Sequence, residues 1–180
     1  MSVDSSQTDE ALMLAFQRQG QANAFNLLYQ RYQTQLYRYL LNRLGDHHNT
    51  DELFQDIWAR IIKTRYEVKS NASFRTWLYT IARNRLIDHY RSNQIKLVEI
   101  EDSHPVDNAG PDEQLIQAEN DNDILHAVRQ LPREQQDVFL LKVESGMSLQ
   151  EIADLSGEGF ETIKSRYRYA IQKLGQLLDN

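Results

Sequence analysis

Basic and aromatic side chains are interleaved between Arg60 and Lys96. This stretch holds nine Lys or Arg residues against two acidic residues, a local excess of +7 in a chain whose formal net charge is −6. Trp77, Tyr79 and Tyr90 lie among the cations. Because cations neutralise phosphates and flat rings stack on unpaired bases, the pattern is typical of a nucleic-acid surface.

A second basic pattern occupies a helix predicted to begin at Phe160. The residues expected to anchor this helix in a core are Ile163, Tyr167, Ala170, Ile171, Leu174 and Leu178. The opposite face is polar: Glu161, Lys164, Ser165, Arg168 and Gln172. Ser148 and Glu151 form an S-x-x-E capping box for the preceding helix, and Gly157 supplies the turn between the two helices. This pattern predicts a helix-turn-helix that can enter the major groove of DNA.

Residue patterns of enzymes and metal sites are not found in the sequence. There is no cysteine, no phosphate-binding glycine loop and no H-E-x-x-H, and the five histidines are scattered. His47 and His48 are adjacent and leave a helix or turn in different directions, so they are not expected to bind a metal with Asp51. We therefore predict a protein that is not an enzyme and that has no cofactor and no small-molecule substrate.

The first basic surface is predicted to lie on a helix from Ser73 to Arg91, with Ser73 as its N-cap. Its apolar face consists of Phe74, Trp77, Leu78, Ile81 and Ala82. The other face carries Thr76, Thr80, Arg83, Asn84 and Arg91. Taken alone, this helix could also be a core element with a solvated basic face.

The remaining patterns predict helices throughout the chain. Helices are expected over Asp9–Arg18, ended by Gly20, and over Gln21–Leu44, ended by Gly45. Thr50 is predicted to cap the next helix, which has Asp51 and Glu52 in its first turn and a buried face ending at Ile62. Helical pattern resumes near Gln114 and includes Ile124 as a core position. Pro132 marks a further helix start.

The segment from Leu97 to Val128 contains nine acidic residues and no Lys or Arg. With Pro105 and Gly110, its first part is typical of a linker. The sequence therefore predicts an all-α protein of two small helical domains joined by an acidic flexible linker: 1–95, 96–113 and 114–180. An extended chain from Gln94 to Asp112 reaches at most ~60 Å. That reach follows roughly 18 base pairs of B-DNA, so two DNA-reading domains could engage separate elements.

Two sequence signatures resemble those of one protein family. The run FRTWLYTIARNRLIDHYR, preceded by DELFQDIWARI, resembles region 2 of the extracytoplasmic-function (ECF) sigma factors of bacterial RNA polymerase. The run from Leu131 to Leu174 resembles their region 4. The resemblance implies a sigma factor that binds core polymerase, recognises promoter DNA, helps open the minus-ten element and directs transcription initiation. It also implies an anti-sigma factor as a partner.

The resemblance assigns roles to residues of three surfaces. The minus-ten surface, expected to hold a flipped base, comprises Lys69, Ser70, Asn71, Arg75, Thr80, Arg83, Asn84 and Arg91. The minus-thirty-five surface comprises Thr162, Lys164, Ser165, Arg166, Arg168 and Tyr169. The core-polymerase surface comprises Glu52, Gln55 and Asp56. The family usually has Gln-Glu where this chain has Gln55 and Asp56.

The second half departs from the family pattern at three positions. Gly159 stands where Pro is common, Glu161 where Gly is common, and Ser156 where an apolar residue is usual. A carboxylate near phosphates is repelled unless it accepts a hydrogen bond from cytosine N4. Glu161 is therefore expected to narrow or shift promoter preference.

Two other functions are alternatives to the sigma factor. A stand-alone helix-turn-helix regulator usually carries an α/β sensing domain, but the first half has no strand pattern. An interaction protein with an acidic partner would leave both basic helices unexplained. The polar N-terminus and the lack of any long apolar run predict a cytoplasmic protein without membrane insertion.

Overall fold

The computed structural model describes residues 6–64, 73–101 and 119–179, and the side chains of 94–101 and 119–122 are not among those described. These ranges form eight α-helices and contain no strand. In chain order the helices are α1 Asp9–Gln19, α2 Ala22–Leu44, α3 His47–Lys63, α4 Phe74–Glu101, α5 Glu119–Arg129, α6 Arg133–Ser145, α7 Leu149–Ser156 and α8 Phe160–Leu178. The predicted all-α class is confirmed. The predicted site residues Lys69, Ser70 and Asn71 lie outside the described residues.

Local caps define most of the helix ends as predicted. Gly20, Gly45 and Gly157 follow α1, α2 and α7 with positive φ, where a side chain would be strained. The capping box of α7 is formed, since the Glu151 N–H donates to Ser148 Oγ at 3.2 Å and the Ser148 N–H donates to Glu151 Oε2 at 2.8 Å. These short-range bonds explain why local sequence signals located the helix ends.

The start of α3 differs from its prediction. Asp46, not Thr50, is the N-cap, and its Oδ1 accepts the Asn49 N–H at 2.8 Å. Thr50 lies within the first turn, fully buried, and its hydroxyl donates to the Asp46 carbonyl at 2.6 Å. The prediction was wrong because two residues with capping side chains lie one turn apart, and Thr50 satisfies its hydroxyl inside the helix.

Helices α1 to α4 pack around the larger part of the core. Its fully buried members include Leu28, Tyr39, Ile57, Leu78 and Ala82. Most of the predicted α3 face is buried, but the Ile62 side chain is 41% exposed. These helices form the body that holds α3 and α4 side by side.

Helices α5 to α8 form a second group, in which α7, Gly157 and α8 make the predicted helix-turn-helix. Leu141, Ile152, Ile163 and Ala170 lie at its centre. Three further predicted core positions are largely exposed: Ile124, Ile171 and Leu178. Leu178 is the last residue of α8, and Ile171 projects 100° around that helix from the buried Ala170.

The two groups of helices are packed against each other. Helix α6 lies against α2, and α7 lies against α4. The α4 backbone is helical through Glu101, which includes residues that the sequence assigned to the start of the linker. Most of the predicted linker, 102–113, lies outside the described residues, and the domain boundaries stay a prediction.

Candidate nucleic-acid interface

An open cleft of about 180 Å³ separates the end of α3 from the middle of α4. The residues around it are Arg60, Thr64, Trp77, Ile81, Asn84, Arg85 and Asp88. The Asn84 side chain is exposed, and Trp77 is half-buried with its ring 6.0 Å from that of Phe74. A flat ring, an amide and two guanidinium groups therefore border one surface cleft. That combination can take up an unstacked base and its phosphate.

The sequence prediction of this cleft was incomplete. Arg60 and Trp77 belong to the basic and aromatic stretch that predicted a nucleic-acid surface, but neither was named in the minus-ten set, and Trp77 and Ile81 were placed on the apolar face of the helix. Trp77 and Asn84 are seven positions apart in a helix, which places them on the same face two turns from each other. From that spacing, the sequence could have predicted that Trp77 and Asn84 border the same surface.

The predicted minus-ten residues do not share one face of α4. Arg83 Nε donates to Asp137 Oδ2 of α6 at 2.9 Å, and Arg75 donates to Glu151 Oε1 of α7 at 2.7 Å. Both arginines thus face the second group of helices, whereas Asn84 faces the cleft toward α3. Successive helical residues project 100° apart, so Arg83 and Asn84 diverge.

The other two predicted residues on α4 are placed differently again. The Thr80 hydroxyl donates to the Thr76 carbonyl at 2.7 Å, so its proton is used within the helix. Arg91 is exposed two turns beyond Asn84. Of the predicted minus-ten set, Asn84 and Arg91 are the described members with exposed side chains.

Helix α8 presents a mixed polar face beyond the buried side chains of Ile163 and Ala170. Thr162, Lys164, Arg168 and Tyr169 are exposed on it. The Arg168 guanidinium lies 5.0 Å from the centre of the Tyr169 ring, and Lys164 Nζ lies 3.7 Å from Glu161 Oε2. The predicted set is thus presented together, apart from Ser165 and Arg166, which are partly covered.

Arg166 is held by two carboxylates of its own chain. Its guanidinium lies 2.6 Å from Glu158 and 3.1 Å from Glu134, and its side chain is 21% exposed. The hydrogen bond and charge of Glu158 raise the pKa of Arg166 above its usual range. The Arg166 guanidinium is therefore paired with carboxylates of its own chain, whereas the Arg168 side chain is exposed.

Helix α3 carries the predicted core-polymerase surface. Glu52 and Gln55 are exposed, and Glu52 lies 3.6 Å from His48. Asp56 is partly exposed and forms an ion pair with Arg85 of α4 at 2.5 Å. The outer face of α3 thus offers the Gln55 amide and the carboxylates of Glu52 and Asp56. The Asp56 carboxylate is paired with Arg85, which lines the cleft.

Neither metal-binding clusters nor membrane spans occur in the ranges that the structure describes. No group of three or more His, Asp or Glu side chains there could hold a metal ion. His47 instead lies 3.1 Å from the Tyr37 hydroxyl, which donates to Asp51 at 2.7 Å. No described helix is long and apolar enough to cross a bilayer.

Two family models match the chain, one for each group of helices. Sigma-70 region 2 matches residues 28–95, and Sigma-70, region 4 matches residues 121–174. Both matches cover the surfaces described above: the α3–α4 cleft lies within the first and the helix-turn-helix within the second.

Curated relatives and solved structures agree with these matches. The ECF RNA polymerase sigma factor RpoE of Cereibacter sphaeroides is 31% identical over 180 residues, covering 98% of both chains. The ECF RNA polymerase sigma factor BldN of Streptomyces coelicolor is 30% identical over 167 residues, covering 88% of this chain and 62% of the relative. CnrH, solved with the cytosolic domain of CnrY, shares the fold at a TM-score of 0.70 and 21% identity, with 98% of each chain covered.

A helical body that bears a basic cleft and a helix-turn-helix defines the class of DNA-binding transcription factors. With both family models and a full-length relative matched, the chain belongs to the ECF sigma factors of the sigma-70 family, which are transcription initiation factors. The predicted family is confirmed, and the stand-alone regulator is not favoured. Helices α1–α4 form the region 2 body, and helices α5–α8 form the region 4 body.

Proposed function

We propose that this sigma factor takes up a flipped minus-ten base in the cleft between α3 and α4. The observation that carries the proposal is the exposed Asn84 amide in a cleft that it shares with the Trp77 ring. The ring offers a stacking surface and the amide offers a donor and an acceptor for the base edge. Arg60 supplies nearby positive charge for the backbone, and Arg85 lines the same cleft as the partner of Asp56 in an ion pair. Lys69, Ser70 and Asn71 lie in the segment between α3 and α4 and are proposed to contribute.

Helix α8 is proposed to read the minus-thirty-five duplex through its exposed face. Arg168, Lys164 and Thr162 have the lengths and donors needed for guanine edges or phosphates. The Lys164–Glu161 pair lies at the start of the helix, the end that approaches base edges in a helix-turn-helix. Glu161 is proposed to shift promoter preference by accepting from cytosine N4 and by lowering the affinity of Lys164 for phosphates.

The outer face of α3 is proposed to bind core polymerase through Glu52, Gln55 and Asp56. Two solved structures that share this fold contain a sigma factor bound to an anti-sigma factor or to a domain of one. They are CnrH with CnrY, and RpoE of Bartonella quintana with NepR. The RpoE structure has a TM-score of 0.67 and 24% identity, and covers 86% of this chain and 96% of that one. We propose an anti-sigma partner for this chain too. The protein is proposed to act in the cytoplasm, without a cofactor and without catalysis of its own.

Transcription from a pool of random promoter fragments, with purified core polymerase, tests the function directly. The expected result is a set of start sites that depend on the protein and share a two-part upstream motif. Asn84→Ala is expected to remove most of these transcripts. If no transcript depended on the protein while it still bound duplex DNA alone, the chain would act as a stand-alone regulator.

A further inference from the structure

Two aromatic side chains of α8 are exposed, in contrast to the aromatic residues elsewhere. Phe160 is 38% exposed and Tyr169 is 49% exposed. Every other Phe, Tyr or Trp side chain in the part of the chain that the structure describes is buried or half-buried. Because large apolar rings gain free energy when they leave water, an exposed ring is a surface that a binding partner can cover.

Phe160 occupies a position on α8 that is suited to contact with DNA bases. It is the first residue of α8, and the start of the second helix is the end that approaches base edges in a helix-turn-helix. The N-cap before it is Gly159, which has no side chain to cover the ring. The sequence located the start of the helix at Phe160 but assigned this residue no role in binding.

Lys164 lies between the side chains of Phe160 and Glu161. Its Nζ is 6.0 Å from the centre of the Phe160 ring and 3.7 Å from Glu161 Oε2. Residues four positions apart share one face of a helix, so the ring and the ammonium group are presented side by side. Phe160 therefore borders the exposed face proposed to read the minus-thirty-five duplex, whereas Ile163 is fully buried.

The chemistry of the major groove determines what such a ring can recognise. A duplex keeps the faces of its bases stacked, so stacking on a phenyl ring is excluded there. The edges of adenine, guanine and cytosine present hydrogen-bonding groups and no methyl group, whereas thymine presents a C5 methyl next to its O4 acceptor. A phenyl ring with an ammonium group beside it matches that pair of groups, because the ring contacts the methyl and the ammonium donates to an oxygen.

We propose that Phe160 is a specificity-determining residue that contacts the C5 methyl of a thymine in the minus-thirty-five element. Lys164, beside the ring, donates to an acceptor of the same base or of its neighbour. This inference rests on the proposed reading of that duplex by α8, and it names one base that α8 selects. It requires an A·T pair in the minus-thirty-five element at the position that faces the start of α8.

Replacement of single thymines by deoxyuridine tests the contact, because deoxyuridine lacks only the methyl group. The DNA is a promoter recovered from the random pool, in which each thymine on either strand of the minus-thirty-five element is replaced in turn. Fluorescence anisotropy measures binding by holoenzyme assembled from core polymerase and the full chain. Burial of one methyl group corresponds to about 4-fold in affinity, so replacement at one position should weaken binding about 4-fold.

Substitutions of Phe160 connect that difference to its ring. Phe160→Ala should bind the thymine and deoxyuridine duplexes equally, and Phe160→Leu, which keeps an apolar group, should retain part of the difference. Ile171→Ala is the matched control, because Ile171 is 45% exposed on the same helix but lies three turns further along it. It should keep the whole difference. Circular dichroism of each variant is expected to show the helix content of the wild type.

Three results would overturn the proposal: an element without thymine on either strand, equal wild-type affinity for every deoxyuridine duplex, or a difference that survives in Phe160→Ala. Equal weakening of both duplexes by Phe160→Ala, together with lower affinity for core polymerase, would show that the ring contacts the polymerase instead. Failure of the proposed function would take another form, a set of start sites without any shared minus-thirty-five element, and this inference would fail with it.

Discussion

Asp56 of α3 and Arg85 of α4 are joined by an ion pair in which Asp56 Oδ2 lies 2.5 Å from Arg85 Nε. Arg85 also lies 3.8 Å from Asp88 and borders the cleft that contains Asn84. The proposed core-polymerase surface and the proposed base pocket therefore share one charged pair. A change in Asp56 can therefore affect both surfaces, because it also removes the ion-pair partner of Arg85.

Substitutions in the Asp56–Arg85 pair should separate defects in core binding from defects in promoter opening. Asp56→Asn should weaken core binding and also loosen Arg85, whereas Arg85→Gln should impair promoter opening at unchanged core affinity. Because both side chains are about one-third to one-half exposed, each change should lower the free energy of unfolding by less than about 1 kcal/mol. Core affinity by surface plasmon resonance and thermal unfolding measure the two effects. A loss of core binding in Arg85→Gln as large as that in Asp56→Asn would refute the assignment of Asp56 to core docking.

Substitutions in the cleft should impair promoter opening, and substitutions on the outer face of α3 should impair core binding. Asn84→Ala removes the amide that faces the proposed base pocket, so we expect open-complex formation to fall about 10-fold or more, the cost of one or two base contacts. Core affinity should not change. Gln55→Ala, on the exposed face of α3, should instead weaken core binding and leave opening of preassembled holoenzyme intact.

Permanganate footprinting at the minus-ten element measures opening, and competition with a labelled wild-type factor measures core binding. Ser92→Ala is a control on α4, because Ser92 is exposed on the same helix and does not line the cleft. Equal losses of both activities in Asn84→Ala and Gln55→Ala would contradict the separation of the two surfaces.

The two arginines of α8 should differ in what their removal costs. Arg168 is exposed, so Arg168→Ala should weaken binding to minus-thirty-five duplex and lower the magnitude of the salt slope by about 1, without a change in stability. Arg166 is paired with Glu158 and Glu134, so Arg166→Ala should lower the free energy of unfolding by about 1 kcal/mol as well. Duplex binding at several salt concentrations and urea unfolding distinguish the two. Identical stabilities of both variants would show that the Arg166 pairs contribute nothing.

The helix ends were predictable because their signals are local. Gly20, Gly45 and Gly157, and the box of Ser148 and Glu151, each act within one turn of their own position. The start of α3 was mispredicted for the same reason, since Asp46 and Thr50 both carry capping groups and the choice between them depends on the burial of Thr50. Local sequence therefore identifies both candidate N-caps, and tertiary packing determines that Asp46 is the one used.

The contacts between the two bodies could not be predicted from local sequence patterns. Tyr39 and Asp137 are 98 positions apart, and Asp137 lies on a helix whose periodicity marks it only as polar. A polar residue on a surface helix is usually solvated, so nothing in the pattern showed that Arg83 would be bound. The split of Arg83 and Asn84 onto different faces, by contrast, follows from helical geometry and could have been predicted.

Burial of Glu144 gives the interface between the bodies a pH dependence. Burial raises the pKa of the Glu144 carboxyl from its ordinary 4.5, and the charge of Arg38 opposes this effect. The groups that face it are Arg38 and Asn42 of α2, and it borders a cavity with Arg75 and Tyr79 of α4. The folded protein therefore binds this proton more tightly than the unfolded chain. The stabilisation is complete below the ordinary pKa and is lost as the pH rises through the raised pKa.

Glu144→Gln removes the buried charge and keeps an acceptor for the Asn42 amide. At pH 7 to 8 it should raise Tm by about 2–4 °C, and the gain should shrink as the pH falls through the raised pKa of the wild-type carboxyl, which then takes up a proton itself. Glu144→Ala, which loses the acceptor, should not be stabilised. A Tm below that of wild type at pH 7 would mean that the pair with the largely exposed Arg38 outweighs the cost of burial.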